Sequence, residues 1–289
     1  MGFSGFNKYG KAFDEGKVHY QYVTKTATPA TGTGGFFVDM NQSSGQPKYN
    51  SFTGTQFAFT PLTGEGNGGV YPGNYVSGST KHLIRWQVLN ANSAANTVPP
   101  DHIILCDYLG FYSFIDGDDT DIQLMDNTLS LTRYTDGVGV RAVVITQEPM
   151  AAIALVTVSY TNQAGTSGRT VTFAVSVGAA LGVAVVTQGT VGGAGQANPF
   201  IPLADGDTGM KSIESVSFAS ASGGFMCIAL VKPLASMMCY EAQVTTEKVY
   251  GIDIQNPPEI KEGAYLNFLI QRVGTAAGSL RSELIFINS

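Results

Sequence analysis

Five aspartates fall within eleven positions of a chain in which only 13% of the residues are charged. They directly follow the aromatic-rich segment LGFYSF, and they are Asp116, Asp118, Asp119, Asp121 and Asp126. Carboxylates spaced this closely can coordinate a cation, act as an acid and base pair, or accept hydrogen bonds from the backbone N–H groups of turns. The residues between them decide which use the sequence favours.

The metal site that comes closest to this spacing is the calcium loop of an EF-hand. That loop has oxygen ligands at positions 1, 3 and 5, glycine at position 6 and glutamate at position 12. Counted from Asp116, positions 1 and 3 fit as Asp116 and Asp118, but position 6 is Asp121 and position 12 is Asn127. The mismatch leaves Asp116 and Asp118 as weak candidates for a calcium site of another kind. No other metal and no cofactor is predicted.

A capped helix accounts for the same charges without a ligand. Thr120 followed three residues later by Gln123 fits a capping box, and neighbouring carboxylates are favoured at the positive end of a helix dipole. An apolar stripe then follows at helical spacing, formed by Ile122, Met125 and Leu129. The sequence therefore predicts a strand, a turn and one short helix near 120–129.

Other catalytic patterns are missing from the sequence. The three histidines, His19, His82 and His102, lack metal-ligand spacing, and there is no GxSxG, P-loop or Cys/His signature. A glycan hydrolase that uses an aspartate pair within 116–121 is the enzymatic alternative. The sequence favours a protein that is not an enzyme.

Bulk composition excludes further classes. The net charge is −6 and no run of five or more basic residues occurs, so nucleic-acid binding is not predicted. No apolar run approaches the roughly 18 residues of a membrane span, and residues 1–16 do not resemble a signal peptide, which predicts a soluble protein without a membrane partner. Cys106, Cys227 and Cys239 are predicted to be buried reduced thiols, with a Cys227–Cys239 bridge as the alternative.

The elements that would position these residues are strands. The clearest hairpin joins 153–160 to 169–177, with Val171, Phe173 and Val175 on the inner face and Thr172 on the opposite face. Further strand-like segments separated by turn residues are 81–89, 102–108, 139–146, 212–219, 224–231, 264–271 and 282–288. This pattern predicts an all-β fold, a β-sandwich or jelly roll.

We divide the chain into three parts on the same grounds. Residues 1–35 are predicted to be an extended N-terminal arm, 36–80 a loop-rich segment that packs on the core, and 81–289 the jelly-roll-like β-sandwich domain. The arm is mildly basic and has little apolar periodicity. Its aromatic residues are candidate anchors in a groove of a neighbouring subunit: Phe3, Phe6, Tyr9, Phe13, Tyr20 and Tyr22.

Three motifs in order carry a family resemblance. They are CDYLGFYSFIDGDDTDIQLMDN, LTRYTDGVGVRAVVI and VSYTNQAGTSGRTV, within residues 80–235. Together they resemble structural proteins of tailed-bacteriophage virions. The resemblance implies a capsid decoration (cement) protein, which binds and stabilises the capsid shell and is assembled into the virion in the host cytoplasm. The implied partners are the major capsid protein and further copies of the chain, as a dimer or trimer.

Two alternatives stay open within the virion. One is a component of the tail or of the head–tail connector. The other is a carbohydrate- or receptor-binding module in which Tyr71, Tyr75 and Trp86 stack on sugars, although Trp86 is also a natural core residue.

Overall fold

β-Branched and aromatic residues between turn residues form strands throughout the chain, and the computed structural model confirms the all-β fold. It describes residues 6–25, 36–64, 68–92, 101–177, 181–187, 198–239, 244–250, 257–271 and 278–289. Within these ranges no helix is long and apolar enough to cross a membrane.

The described residues contain one α-helix, α1 (Phe6–Asp14), and one 3-10 turn, Met40–Gln42. The strands in chain order are β1 (Val18–Lys25), β2 (Phe37–Asp39), β3 (Gly45–Gln46), β4 (Phe59–Pro61), β5 (Lys81–Asn92), β6 (Asp101–Asp116), β7 (Gln123–Leu124), β8 (Arg141–Thr146), β9 (Ala154–Asn162), β10 (Arg169–Val175), β11 (Val183–Ala184), β12 (Val186–Thr187), β13 (Met210–Phe218), β14 (Phe225–Cys239), β15 (Thr245–Val249), β16 (Glu259–Ile260), β17 (Leu266–Gln271) and β18 (Gly278–Asn288).

The central sheet closes on itself. Its strands follow the order β14-β8-β11-β2-β17-β6, and β6 pairs with β14 along almost its full length, so that six strands form a ring with β4 attached to β6. We call this ring the barrel. Its strands contribute one shared buried cluster, which we place in the interior, and in which small side chains alternate with large ones. The small members include Cys106, Val143, Ala184, Cys227 and Ala229.

Two further sheets cover the outside of the barrel. Sheet 1 has the order β15-β5-β18-β1-β3, with β16 also paired to β5, and sheet 2 has the order β12-β10-β9-β13-β7. On β6, Ile103 and Leu105 pack in the core beneath sheet 1, whereas Leu109 packs in the core beneath sheet 2. Residues two or four apart on a strand share a face, so both sheets lie against the same outer surface of the barrel.

The predicted hairpin is present as β9 and β10, which pair from Ala154 with Val175 to Tyr160 with Arg169. Phe173 and Val175 are buried and Thr172 is exposed, as predicted. The two later pairs of neighbouring strands behave differently. β13 lies in sheet 2 and β14 in the barrel, while β17 lies in the barrel and β18 in sheet 1. Their short connections therefore cross between layers, as connections in β-sandwiches do.

The predicted helix near 120–129 is wrong. The chain forms a loop through Asp121 and then β7, which pairs with β13. Of the supposed apolar stripe, Met125 is buried, but Ile122 is 68% exposed and Leu129 is 55% exposed. Aspartate side chains that bond to nearby backbone N–H groups compete with helix formation, and they prevail here.

The prediction of an extended arm is also wrong for the described residues of 1–35. Residues 6–14 form α1, and β1 pairs with β18 over all eight of its residues. Ala12 of α1 packs on Ile84, Ile285 and Ile287 of sheet 1. Two of the arm's lysines, Lys11 and Lys17, both pair with Glu15, and Lys25 is buried. Phe3 lies outside the described residues, as do the side chains of Phe6 and Tyr9.

Candidate functional site

The acidic segment 116–126 is a set of backbone-binding turns. Asp116 Oδ1 accepts a hydrogen bond from the backbone N–H of Asp118 at 2.9 Å, and Asp119 Oδ1 accepts one from Asp121 at 2.9 Å. Asp118 Oδ1 accepts one from Gly223 at 3.1 Å, and Asp126 Oδ1 accepts one from Thr128 at 2.8 Å. These carboxylates hold loops in place.

Gln123 fixes the acidic loop from beneath. Its side chain is buried. Its Oε1 accepts from the backbone N–H of Asp116 at 2.9 Å, and its Nε2 donates to the carbonyl oxygens of Asp116 and Asp119 at 2.7 and 3.2 Å. Gln123, which was predicted to help cap a helix, instead binds the backbone of this loop. Among the described residues no group of three or more His, Cys, Asp or Glu side chains is arranged to hold a metal ion, so Asp116 and Asp118 stay untested candidates rather than a site.

A carboxylate is buried within the barrel cluster. Asp39 is fully buried, and its Oδ1 accepts hydrogen bonds from the backbone N–H of Asn41, from Tyr108 and from Asn267. Its Oδ2 has no hydrogen-bond partner. Burial raises the pKa of Asp39 to about 7, despite these donors and the nearby ammonium of Lys25. The carboxyl is fully buried and hydrogen-bonds to Tyr108 on β6 and Asn267 on β17, as a structural group does.

A second buried charge, Asp107, lies on β6 where its pairing with β17 begins. It forms a bidentate ion pair with Arg133, at 2.8 and 3.0 Å. Arg133 also donates to the carbonyl oxygens of Leu62 and Tyr108, at 2.9 and 3.0 Å, and Asp107 accepts the backbone N–H of Tyr265. Arg133 uses four of its five N–H donors in these bonds, and the pair connects four segments of the chain.

Two of the predicted aromatic anchors lie side by side on the surface of sheet 1 that faces away from the barrel. Tyr20 is 50% exposed and Tyr22 is 64% exposed, while Val23 between this face and the barrel is buried in the core. Phe13, on α1, is also exposed. The sheet register aligns Tyr22 with Glu283, Gln87 and Glu247 across four strands.

We call this surface the outer face of sheet 1. Beside the tyrosines it carries ion pairs in which Arg85 contacts both Glu247 and Glu283. The Glu283 carboxylate raises the pKa of the Tyr22 hydroxyl, which hydrogen-bonds to it. A shallow groove of about 230 Å³ crosses the four strands here, lined by residues that include Tyr22, Thr24, Leu89 and Arg281. The face therefore combines aromatic surface with a charged, mostly paired surround.

A larger pocket, of about 580 Å³, lies between the loop 71–75 and the turn 262–264. We call it the tyrosine pocket; it is lined by Thr63, Gly64, Tyr71, Pro72, Gly73, Asn74, Tyr75, Glu262, Gly263 and Ala264. Two of the three aromatic residues predicted to stack on sugars, Tyr71 and Tyr75, therefore meet in one concavity. The third does not, because Trp86 is fully buried, stacks on Phe268 at 5.8 Å and donates its indole N–H to Ser282.

Sequence reasoning missed the partners of these residues. Glu262 lies nearly 190 positions from Tyr75, and nothing local indicates that the two segments meet. The buried lysine Lys81 was also missed, although it opens the strand segment KHLIRWQVL at an apolar-side position. The cysteine prediction is confirmed, since Cys106, Cys227 and Cys239 are all buried and none of them forms a disulfide.

Comparison with known proteins gives distant structural neighbours. No family model matches the sequence, and no curated protein matches it. A solved structure of infectious bursal disease virus, Gt strain, is 11% identical with a TM-score of 0.23, covering 94% of this chain and 80% of that chain. The VP2 subviral particle of infectious bursal disease virus is 10% identical with a TM-score of 0.20, covering 93% and 80%. T=1 particles derived from that virus give 11% and 0.21, covering 94% and 78%. Superpositions at these TM-scores support no conclusion about fold or function.

Proposed function

We propose that this protein is a structural component of a virion, which attaches to the outside of a capsid shell as a decoration protein. The motif resemblance over residues 80–235 supports a virion location. The observation that carries the attachment is the pair of exposed tyrosines, Tyr20 and Tyr22, on the outer face of sheet 1.

This face has the properties of a protein-binding surface. Tyrosine is enriched at the centres of interfaces, where it supplies large contact area at a small cost in side-chain entropy. Tyr20 and Tyr22 are anchored on a strand that is paired over its full length, so their backbone is already ordered before a partner binds. The ion pairs of Arg85 with Glu247 and Glu283 form a polar surround beside them.

A non-catalytic role agrees with the state of the carboxylates. Asp116, Asp118 and Asp119 of the acidic loop each accept a backbone N–H through Oδ1, and Asp39 and Asp107 are buried. None of these is a free acid and base pair facing a cleft, which hydrolysis of a glycan requires. The proposed partners are accordingly the major capsid protein and further copies of this chain, as a dimer or trimer.

The test is addition of the purified protein to shells assembled from the major capsid protein alone. We expect stoichiometric binding, measured by co-sedimentation and by occupancy in electron cryo-microscopy. Changing both Tyr20→Ser and Tyr22→Ser lowers occupancy strongly, because the aromatic contacts are lost while β1 remains paired.

Leu155→Ser is the matched control. Leu155 is an exposed apolar residue on sheet 2, away from the outer face of sheet 1, so the variant keeps full occupancy. Light scattering on the free protein reports whether it is a dimer or a trimer. If the wild-type protein leaves such shells bare and adds instead to tails or connectors, the decoration proposal is wrong and the tail alternative replaces it.

A further inference from the structure

The tyrosine pocket is held open by a buried lysine. Lys81 Nζ donates hydrogen bonds to the carbonyl oxygens of Pro72, Gly73 and Asn74, two of them at 2.8 Å. The same ammonium lies over the ring of Tyr75, 4.4 Å from its centroid. One side chain on sheet 1 therefore fixes most of one wall of the pocket.

The two walls are also tied to each other. The Tyr75 hydroxyl donates to the carbonyl oxygens of Ile260 and Lys261, beside the opposite wall. Gly64 contacts Ala264 so closely that a Cβ at position 64 would lie 2.2 Å from the Ala264 carbonyl oxygen. Gly73 has a φ of +81° and packs against His19, whose ring contacts Tyr71 edge to face. A pocket fixed in this way loses little entropy when a ligand binds.

The lining is chemically mixed in a specific way. Tyr71 and Tyr75 supply aromatic surface, and Asn74 and Glu262 supply an amide and a carboxylate. The Tyr71 hydroxyl donates to Asn74 Oδ1, which orients the amide so that its NH₂ group is available to a ligand. Three lining residues are glycines, which bring backbone close to the cavity. The volume lies within the roughly 300–1,000 Å³ of small-molecule sites.

Charge narrows the class of ligand. Among its described residues the lining has one carboxylate, Glu262, and no lysine, arginine or histidine, so these residues offer an anion such as phosphate no cationic partner. A ligand ammonium is disfavoured because the Lys81 ammonium already lies over Tyr75. Burial lowers the pKa of Lys81 to about 8, which still leaves it protonated at neutral pH.

We propose that the tyrosine pocket binds a small neutral saccharide. Its apolar C–H face packs on the negative face of a tyrosine ring, and its hydroxyl groups bond to Asn74 and Glu262. This site goes beyond the proposed shell attachment and does not depend on it, because the pocket and the outer face of sheet 1 are lined by different residues.

The experiment uses the full chain and saturation-transfer-difference NMR with glucose, galactose, mannose and N-acetylglucosamine, followed by a glycan array. We expect saturation transfer to at least one neutral sugar. Tyr71→Ala and Glu262→Gln each weaken binding by at least about tenfold, as loss of a central aromatic or hydrogen-bonding contact does. Glu262 is exposed, so its variant folds even if the tyrosine variant is destabilised.

Tyr22→Ala is the matched control, since it removes an exposed tyrosine of the other surface. It keeps saccharide binding and loses shell occupancy, whereas Glu262→Gln does the reverse, so the two proposals fail separately. The saccharide proposal is overturned if no neutral sugar shows saturation transfer, if Glu262→Gln binds as the wild type does, or if the array selects sialylated or phosphorylated glycans instead.

Discussion

Gln123 shows how one buried side chain decides the structure of a charged segment. It is almost fully buried and makes three hydrogen bonds to the backbone of the acidic loop. We predict that Gln123→Ala lowers the free energy of unfolding by about 1–3 kcal/mol, because it removes three hydrogen bonds to partly buried backbone groups of the loop. Urea denaturation monitored by circular dichroism measures it.

Thr120→Ala is the control for that measurement. Thr120 is exposed and caps no helix, so its removal changes the stability by less than about 0.5 kcal/mol. If Thr120→Ala lowers the free energy of unfolding more than Gln123→Ala does, the prediction of a capped helix is supported instead. The same two variants behave alike with and without EDTA if the aspartates bind backbone rather than calcium.

Asp39 gives the stability a pH dependence whose sign follows from its burial. In the unfolded chain an aspartate ionises near pH 4, whereas in the folded protein its pKa is about 7. Between these values the folded state holds the proton and the unfolded state does not, so Asp39 lowers stability as pH rises, by up to about 1.4 kcal/mol per pH unit. Above pH 7 its contribution is constant.

The Asp39→Asn variant isolates this effect. Both proteins share the other titrating groups, including His82 and His102, whose pKa values are lowered by burial. We predict that the stability of the wild type minus that of the variant falls steadily from pH 4 to pH 7 in urea titrations. A difference that is flat across this window contradicts a raised pKa for the Asp39 carboxyl, because equal pKa values in the folded and unfolded states give no pH dependence.

At the scale of single elements, the β9–β10 hairpin has one buried face and one exposed face. Phe173→Ala is predicted to lower the stability by about 3–5 kcal/mol, because it empties an aromatic site beneath sheet 2. Thr172→Ala is predicted to cost less than about 1 kcal/mol, although its hydroxyl hydrogen-bonds to Thr157 on the surface. Equal losses at the two positions would mean that another subunit covers the exposed face.

The N-terminal elements are the second test at this scale. Removing residues 1–17 deletes α1 and uncovers Ile84, Ile285 and Ile287, which we predict lowers the stability by about 1–3 kcal/mol. Removing residues 1–25 also deletes β1, so that β18 loses one of its paired neighbours and the core loses Val23. The longer truncation is predicted to be insoluble or far less stable. The solubility and the urea midpoints of the two truncated proteins measure this difference. Equal values would mean that β1 is a dispensable arm rather than a strand that the fold needs.

The sequence predicts the elements whose pattern is local and not those that depend on distant contacts. The alternation of apolar and polar residues in RTVTFAVSV predicts which face of β10 is buried, because the pattern of a half-buried strand lies in its own residues. The prediction of a helix near 120–129 is wrong because the spacing of apolar residues does not reveal the hydrogen bonds that Gln123 and the aspartates make to the backbone. β1 was missed because its partner lies more than 250 residues away. Tyr71 and Tyr75 were found as candidates, but Glu262 was not, since long-range pairing brings it to the pocket.

For the whole molecule, we predict cooperative unfolding, because sheet 1 and sheet 2 both pack on the same barrel. β6 and β14 each contribute to the cores beneath both sheets and to the barrel interior. We expect calorimetry to show one transition, whose calorimetric and van't Hoff enthalpies agree. Phe173→Ala and Phe268→Ala, which alter the two different cores, lower the same transition. Two separable transitions would show that the sheets are independent units.

The closed ring also sets the order of events during synthesis. The strands of the ring run from β2, which begins at residue 37, to β17, which ends at residue 271. In sheet 1, β1 pairs with β18, which begins only at residue 278. Chains emerge from the ribosome with the N-terminus first, so the ring cannot close until β17 has been synthesised, and β1 has no partner in sheet 1 until β18 has been synthesised. Such distant contacts make folding slow and leave strand edges exposed in the meantime. Production of this protein is therefore expected to improve when translation is fast relative to aggregation, at low temperature or with chaperones that shield unpaired strands.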